Sequence, residues 1–242
     1  MEIPPALKGY EILEGLNLSQ EEIDNLSDKN GWKLARVLTA NIAGSLPTKL
    51  EAGGLTLKSK LPFKAATLRE VLIHRVADLA TVTMQLFEAE KFVPAFIMAR
   101  SVVESVSVMF FLHKTVSDFC ENHDVSKLDG FLMKTTMGSR DKSTPHEPYN
   151  ILTAVDKVDK EFDGLRQMYD CLSEFAHPNW SGTLGTYGRF DRENHVLLFD
   201  QRRATKAILG LAPFVGALSI FIDYYNDLSR LLQEMNDYFE KG

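Results

Sequence analysis

The sequence predicts an all-α protein, an up-and-down helical bundle with one small β-hairpin inserted before its last long helix. Three observations lead to this prediction. Apolar residues recur at helical spacing over most of the chain, one segment is apolar almost all round, and two β-favouring runs flank a polar turn at about 183–199. The 242 residues, of which 45% are hydrophobic, are enough to build a substantial core.

Residues 1–61 are predicted to form an N-terminal helical arm. Ser19-Gln-Glu-Glu22 has the form of a capping box, so a helix is expected to begin there and to end near Asn30-Gly31. A second helix is expected over Trp32–Ser45. The stretch that follows, as far as Pro62, contains several prolines and glycines, which predict a loop.

Residues 62–242 are predicted to form the bundle itself, beginning with two long helices. Phe63–Lys91 repeats apolar residues at helical spacing. Ala95–Val116 is apolar almost all round, which is typical of a helix at the centre of a bundle. A mixed helical stretch is expected over Asp118–Met137, and a polar loop over Gly138–Pro148.

Two shorter helices and the hairpin are expected next. The helices are predicted over Tyr149–Phe162 and Gly164–His177, with Asp163 as the cap of the second. The runs Thr183–Phe190 and His195–Phe199 favour β-structure, and the four polar residues between them predict the turn of a hairpin.

The last helix is expected over Gln201–Phe239, with a kink or a break at Pro213. Within this helix, Ala207–Ile222 runs for sixteen residues without a charge. A membrane-spanning helix needs about 20 apolar residues. Because two glycines and a proline also interrupt the run, it is predicted to be a core helix, and no membrane association is expected.

The charge pattern argues against a strong nucleic-acid-binding surface. The net charge is −6, and the densest basic cluster is limited to Arg202, Arg203 and Lys206. Cys120 and Cys171 stand alone, which fits neither a disulfide framework nor a zinc motif and predicts a cytoplasmic protein. The sequence has no P-loop, dinucleotide fingerprint or zinc-protease motif, so neither a cofactor nor a metal is expected.

Arg100 and Glu104 stand out because they lie four residues apart on the most apolar helix. Residues at this spacing share one face of a helix. A buried charge must be paired or must border a cavity, since burying it alone costs too much free energy. The two residues are therefore interpreted either as an ion pair that reaches a neighbouring helix or as part of a site.

A second polar group lies on the helix that is expected to end at His177. Arg166, Asp170, Ser173 and His177 fall within about 60° of one another on a helical wheel. This stripe is interpreted either as the solvated face of an amphipathic helix or as part of a site. A histidine at the C-terminal end of a helix is well placed for proton transfer.

Arg100-x-x-x-Glu104, followed by Tyr169-x-x-Leu172-Ser173-x-x-x-His177-Pro178, resembles the HEPN-like superfamily over roughly 63–222. The resemblance implies an up-and-down helical bundle that forms a homodimer. It also implies one of two functions. Many members are metal-independent endoribonucleases that use an arginine and a histidine separated by four to six residues, whereas others lack this motif and act as binding or interaction modules.

The sequence departs from the pattern of the active members. Arg166 lies eleven residues before His177. Two other pairs have the required spacing, but they fall in the predicted loop and in the predicted hairpin, and both are interpreted as coincidences: Arg140 with His146, and Arg189 with His195. A nuclease site would therefore have to take its arginine from Arg100.

Two functions follow from these residues. In an endoribonuclease, His177 would act as general acid or base, Arg100 would hold phosphate, Glu104 would orient Arg100, and Ser173 would position His177. Further binding contacts are assigned to the following helix residues: Arg166, Tyr169 and Asp170. In a non-catalytic module that binds a small ligand, an RNA or a partner, the same residues form a polar network that fixes helix register. The acidic balance and the missing spacing favour the second function.

Overall fold

The computed structural model of the protein describes residues 28–200 and 208–241. Helices dominate these ranges, and the only strands in them form a two-stranded hairpin before the last helix. The prediction of an all-α bundle with a small hairpin insertion is therefore confirmed. The elements are α1 (Asp28–Gly44), a 3-10 turn (Ala52–Gly54), α2 (Leu61–Glu88), α3 (Phe92–Asn122), α4 (Val125–Met137), α5 (Ile151–Val158), α6 (Leu165–Ala176), α7 (Leu184–Tyr187), β1 (Gly188–Asp191), β2 (Val196–Phe199) and α8 (Ile208–Lys241).

Helix α3 lies at the centre of the bundle, as its all-round apolarity predicts. It packs mainly against α8 and α2, and also against α4, α5 and α6. Its side chains Phe96, Val102, Met109 and Leu112 are fully buried. Among the described helices, α3 is long and apolar enough to cross a membrane by length and composition, but 67% of its apolar window is buried inside the bundle.

Helix α1 packs against α2 and α8 and buries Leu34, Leu38 and Ile42 in the same core. It continues through Gly31, so the helix boundary predicted at Asn30-Gly31 is wrong. A Cβ on Gly31 would lie 3.0 Å from the side chain of Leu211, and its absence lets the two helices pack closely. The capping box at Ser19-Gln-Glu-Glu22 lies outside the described residues, and the division into an arm and a bundle stays a prediction.

Helix α3 extends beyond its predicted end at Val116 because Phe119 is buried and holds the last turns in the core. It ends at Asn122 and is followed by His123, whose φ of 58° lies in the left-handed region. The next helix, α4, begins with a side-chain cap, in which the Asp124 carboxylate accepts a hydrogen bond from the Lys127 amide at 2.9 Å.

Helices α5 and α6 are both shorter than predicted, and Asp163 does not cap the second. The amide of Arg166, in the first turn of α6, donates instead to the Asp159 carboxylate at 2.9 Å. Gly164, with a φ of 89°, begins α6 in a conformation that favours glycine. The chain therefore turns sharply between the two helices, and the acidic residue that closes the turn comes from the end of α5.

The hairpin is smaller than its sequence pattern predicts, since the first part of the predicted strand Thr183–Phe190 forms the short helix α7. The strands β1 and β2 are antiparallel, with Gly188 opposite Phe199 and Asp191 opposite Val196. The Asp191 carboxylate closes the turn by accepting hydrogen bonds from the next backbone amides. The prediction of a hairpin near 183–199 is confirmed, although its first strand begins only at Gly188.

Helix α8 runs without interruption through Pro213, so of the kink or break predicted there the break is wrong, and the kink stays a prediction. Pro213 lies close to the first described residue of α8, and it removes one backbone hydrogen bond. Leu211 and Phe214 on either side of it are fully buried and hold this part of the helix against the core. The beginning of the predicted helix, 201–207, lies outside the described residues.

Both cysteines are free and partly buried. Burial is the main reason why the pKa of each thiol is raised. The Cys120 thiol lies against the seam between α3 and α8, 3.7 Å from the carbonyl oxygen of Leu231. Cys171 lies on α6.

Candidate functional site

Arg100, Glu104 and Tyr169 meet where α6 packs on α3. The Arg100 guanidinium donates to the Tyr169 hydroxyl at 2.7 Å, and that hydroxyl donates to Oε1 of Glu104 at 2.9 Å. The guanidinium also lies 3.2 Å from the same carboxylate oxygen. We call these three residues the open triad, because the side chains of Arg100 and Glu104 keep 29% and 25% of their surface exposed.

The helices explain why these three side chains meet. Arg100 and Glu104 lie one turn apart on α3 and face α6, so the i,i+4 relation predicted from the sequence is realised as an ion pair. Tyr169 lies on the buried face of α6 and is only 2% exposed. The Arg100 guanidinium carbon lies 5.0 Å from the centre of its ring, which adds a cation–π contact to the hydrogen bond.

Burial and the neighbouring carboxylate keep the Tyr169 phenol protonated. The pKa of Tyr169 is raised mainly by desolvation and further by Glu104, while the hydrogen bond from Arg100 opposes the shift. A protonated phenol can donate to Glu104 and accept from Arg100 at the same time. Nε of Arg100 is buried without a hydrogen-bond partner among the described residues.

Glu104 has one anchored oxygen and one free oxygen. Oε1 receives both the Tyr169 hydroxyl and the Arg100 guanidinium, and Oε2 has no partner within 28–200 and 208–241. Glu104 also lines a cleft of about 260 Å³ between α2, α3, α4 and the loop before α5. We call this hollow the Glu104 cleft; its other polar lining residues include Arg75, Ser105, Lys134 and Tyr149.

Two cations of the Glu104 cleft have no anionic partner within the described part of the chain. Nε of Arg75 donates to the Ser105 hydroxyl at 3.1 Å, which leaves the two terminal nitrogens of the guanidinium free. Lys134, in the last turn of α4, has no ion pair with any described residue. The cleft is therefore lined by Glu104, whose Oε2 has no described partner, and by two positive groups that have no anionic partner in the same ranges.

Arg75 and Lys134 were not predicted as site residues. Arg75 follows Leu68 and Leu72 at helical spacing along α2, but it is exposed, and a charged residue at the edge of an apolar helix face is common. Lys134 carried no distinctive signal either, since a lysine in the last turn of a helix is common at a surface.

Ser173 and His177 do not join the open triad. The Ser173 hydroxyl donates to the carbonyl oxygen of Tyr169, one turn back in the same helix, at 2.8 Å. Helix α6 ends at Ala176, and the backbone of His177 is extended, with φ −94° and ψ 145°. His177 is exposed, and its imidazole makes no hydrogen bond to any residue that the structure describes. The helical wheel placed His177 beside Ser173 because it assumed a helix that continues through residue 177.

The three residues that were predicted as further binding contacts separate into two groups. Tyr169 belongs to the open triad, whereas Arg166 and Asp170 form an ion pair at 3.0 Å on the outer face of α6. Arg166 also pairs with Asp156 of α5. The two residues therefore tie α6 to α5, as the interpretation of a solvated helix face expects.

A second network of the same residue types lies deeper in the bundle. The Arg69 side chain is fully buried and pairs with Glu70, while Tyr225 donates to the other oxygen of Glu70 at 2.6 Å. The remaining Arg69 nitrogens donate to the Tyr225 carbonyl oxygen at 3.1 Å and to the Ser229 hydroxyl at 2.7 Å. We call Arg69, Glu70 and Tyr225 the sealed triad. It joins α2 to α8, and every nitrogen of the Arg69 guanidinium donates a hydrogen bond.

The remaining candidate residue pairs and hollows give weaker support for a functional site. Arg140 and His146 lie in the loop after α4, and Arg189 and His195 lie in the hairpin, so neither pair is carried by a helix. A larger hollow, of about 640 Å³, lies between the start of α3 and the hairpin, and its lining ends at Asp200, the last residue described before 208. Within the described ranges, no group of three or more His, Cys, Asp or Glu side chains is arranged to hold a metal ion.

Comparisons with protein-family models, with curated proteins and with solved structures give no match to this chain. The assignment to the HEPN-like superfamily, together with the homodimer and the cytoplasmic location expected from the sequence, therefore stays a prediction from the residues. The open triad and the Glu104 cleft beside it are the features on which the functional proposal rests.

Proposed function

We propose that this protein is a non-catalytic, HEPN-like helical bundle that binds a small ligand in the Glu104 cleft. One observation carries the proposal. The Glu104 carboxylate is held through Oε1 by Arg100 and Tyr169, and Glu104 lines a cleft together with two cations that have no anionic partner among the described residues. A carboxylate that is fixed on one side and free on the other is preorganised for binding.

The position of His177 supports a binding role over the endoribonuclease. General acid–base catalysis needs an imidazole within hydrogen-bond reach of the reacting group. Glu104 and Tyr169 orient the Arg100 guanidinium, as an endoribonuclease would also require, but His177 is exposed beyond the end of α6 and makes no hydrogen bond to the open triad. A nuclease would need the His177 side chain to move towards Arg100.

The size of the cleft supports a small ligand. Pockets for drug-sized molecules commonly measure about 300–1,000 Å³, and the Glu104 cleft is slightly smaller, at about 260 Å³. Apolar side chains from α2 and α3, including Leu68, Leu72 and Val108, line it together with the polar groups. A few polar groups in an otherwise apolar lining are typical of a ligand site.

The test combines a binding screen with a cleavage assay. Thermal melts of the full chain are measured with a panel of small acids, amino acids and nucleoside monophosphates, in the wild type and in Arg75→Gln. We expect at least one class to raise the Tm of the wild type and to lose that effect in the variant. Arg36→Gln is the control, because Arg36 is an exposed arginine that pairs with Glu88 of α2, outside the cleft.

The same protein is incubated with a fluorogenic RNA, alone and as His177→Ala. We expect no cleavage above the buffer rate in either sample. Cleavage by the wild type that disappears in His177→Ala would establish the endoribonuclease instead. A panel in which no compound gives a shift that depends on Arg75 would contradict the binding proposal.

A further inference from the structure

We infer that the Glu104 cleft is built for a free α-amino acid with an apolar side chain, an inference that rests on the proposed function. Three features of one cleft lead to it. Glu104 with its free Oε2, two cations without an anionic partner in the described part of the chain, and an apolar wall line the same cleft of about 260 Å³. These features match the ammonium group, the carboxylate and the hydrocarbon side chain of such a molecule.

The carboxylate of the ligand is assigned to Arg75 and Lys134. The Arg75 guanidinium is fixed by the hydrogen bond from its Nε to Ser105, and that hydroxyl in turn donates to the Ser101 carbonyl oxygen at 2.8 Å. Its two terminal nitrogens therefore remain as donors in a plane, which is the arrangement that binds a carboxylate through two parallel hydrogen bonds. Lys134 adds a second positive charge from α4.

The ammonium group of the ligand is assigned to Oε2 of Glu104. Arg100 and Tyr169 both bind Oε1, so the carboxylate is held in place while its second oxygen stays available. Arg100 balances the charge of Glu104, whereas no described acidic residue balances Arg75 or Lys134. The cations should therefore supply most of the affinity, and Glu104 should supply the selection for an amine.

Glu104 also decides between an amino acid and a phosphate. Two cations alone would suit either anion. A phosphate carries only negative charge, so the Glu104 carboxylate repels it in the same small cleft. An ammonium group next to the ligand carboxylate satisfies Oε2, so the lining favours a molecule that carries both charges.

The apolar wall is assigned to the side chain of the ligand. Leu68 and Leu72 of α2 face Val108 of α3 across the cleft, and Ile151 and the partly buried ring of Tyr149 lie at the side of the loop. Burial raises the pKa of Tyr149, so its phenol adds no charge at neutral pH. A branched aliphatic side chain suits such a wall, and L-leucine is therefore the probe.

The experiment measures the affinity of the full chain for four probes by isothermal titration calorimetry: L-leucine, N-acetyl-L-leucine, 3-methylbutylamine and inorganic phosphate. N-acetylation removes the ammonium charge, and 3-methylbutylamine lacks the carboxylate. We expect L-leucine to bind at least about tenfold more tightly than each of the others, because each lost charge-assisted hydrogen bond weakens binding by about that factor or more.

Variants place the binding in this cleft. Glu104→Gln should bring L-leucine and N-acetyl-L-leucine to within about threefold of each other, since it removes the group that distinguishes them. Lys134 is exposed and lies outside the core, so Lys134→Gln should weaken the binding of both probes without affecting the fold. Lys114→Gln, an exposed lysine paired with Glu161, is the matched control and should leave both affinities unchanged.

Three results would overturn the inference. If N-acetyl-L-leucine or phosphate binds as tightly as L-leucine and its binding is weakened in Lys134→Gln, the cleft binds anions without recognising an amine, and only the proposed function survives. If L-leucine binds equally well to the Glu104→Gln and Lys134→Gln variants, it binds elsewhere. If none of the four probes binds and the wider panel gives no shift that depends on Arg75, both the inference and the proposed function fail.

Discussion

The open triad and the sealed triad use the same three residue types in the same way and differ in what surrounds them. In each, an arginine lies over a tyrosine ring, and the tyrosine hydroxyl donates to a glutamate. The sealed triad uses every nitrogen of Arg69, whereas the open triad leaves Nε of Arg100 and one oxygen of Glu104 without a partner. The comparison indicates that a complete network holds helices together, and that an incomplete one beside a cleft is available for a ligand.

The largest difference in stability between the two triads is expected when the arginine of each is replaced. Arg69→Ala leaves Glu70 buried without its cation and should cost about 3–5 kcal/mol of the free energy of unfolding. Arg100→Ala should cost only about 1 kcal/mol, because water reaches the partly exposed Glu104. Urea denaturation followed by circular dichroism measures both values. Equal losses would show that the open triad is as structural as the sealed one.

Removing the tyrosine hydroxyl of each triad should also destabilise the protein more in the sealed triad than in the open triad, but by a smaller difference. Tyr225→Phe takes a donor from the buried Glu70 and should cost about 1–3 kcal/mol. Tyr169→Phe should cost about 0.5–1.5 kcal/mol, since Glu104 keeps Arg100 and can be hydrated. The two variants are compared by urea denaturation at pH 7. A larger loss for Tyr169→Phe would contradict the assignment of the sealed triad as the stronger helix contact.

The two tyrosines should also differ in alkaline solution. Burial raises the pKa of Tyr225 well above its ordinary value, and the folded state therefore holds the phenol proton more tightly than the unfolded state does. The resulting stability is fully present below about pH 10, the pKa of an unfolded tyrosine, and is lost as the pH rises from there towards the folded pKa.

Unfolding free energies measured in urea between pH 8 and pH 11 test this expectation. Tyr225→Phe should flatten the loss of stability above pH 10 more than Tyr169→Phe does. The pKa of Tyr169 is also raised, but less far than that of Tyr225, and in both triads the arginine opposes the effect of burial. Parallel pH profiles for the wild type and Tyr225→Phe would show that this phenol does not control the alkaline limit.

The smallest effect is expected at the ion pairs on the outer face of α6. Arg166→Gln breaks the contacts with Asp156 and Asp170, both of which are largely exposed, and should cost about 0–1 kcal/mol. The loss should diminish further in 0.5 M salt, since salt screens exposed charges. A loss above 2 kcal/mol in urea denaturation would place Arg166 among the residues that hold the bundle together.

The fold was predictable because apolar residues recur at helical spacing along each long helix. The ion pair of Arg100 and Glu104 was predictable for the same reason, since residues four apart must share a face. Tyr169 was named from its place in a motif, although only the packing of α6 on α3 brings its hydroxyl between the two charges.

The rest of the site depends on contacts that one sequence does not encode locally. Arg69 and Glu70 are adjacent, which is no recognisable helix pattern, and their partner Tyr225 lies on the last helix. Arg75 and Lys134 come from different helices whose relative rotation is fixed by packing. His177 was misplaced because the wheel continued one residue beyond the helix, and a single extended residue is enough to turn a side chain into solvent.

The two partly buried cysteine thiols can report on movements of the helices that carry them. A thiol whose pKa is raised is mostly protonated at neutral pH, and alkylating reagents attack the thiolate. Labelling of Cys120 should therefore follow separation of α3 from α8, and labelling of Cys171 should follow movement of α6. The rates at the two positions, resolved by mass spectrometry of peptides, would show whether the helix that carries Tyr169 opens independently of the central core.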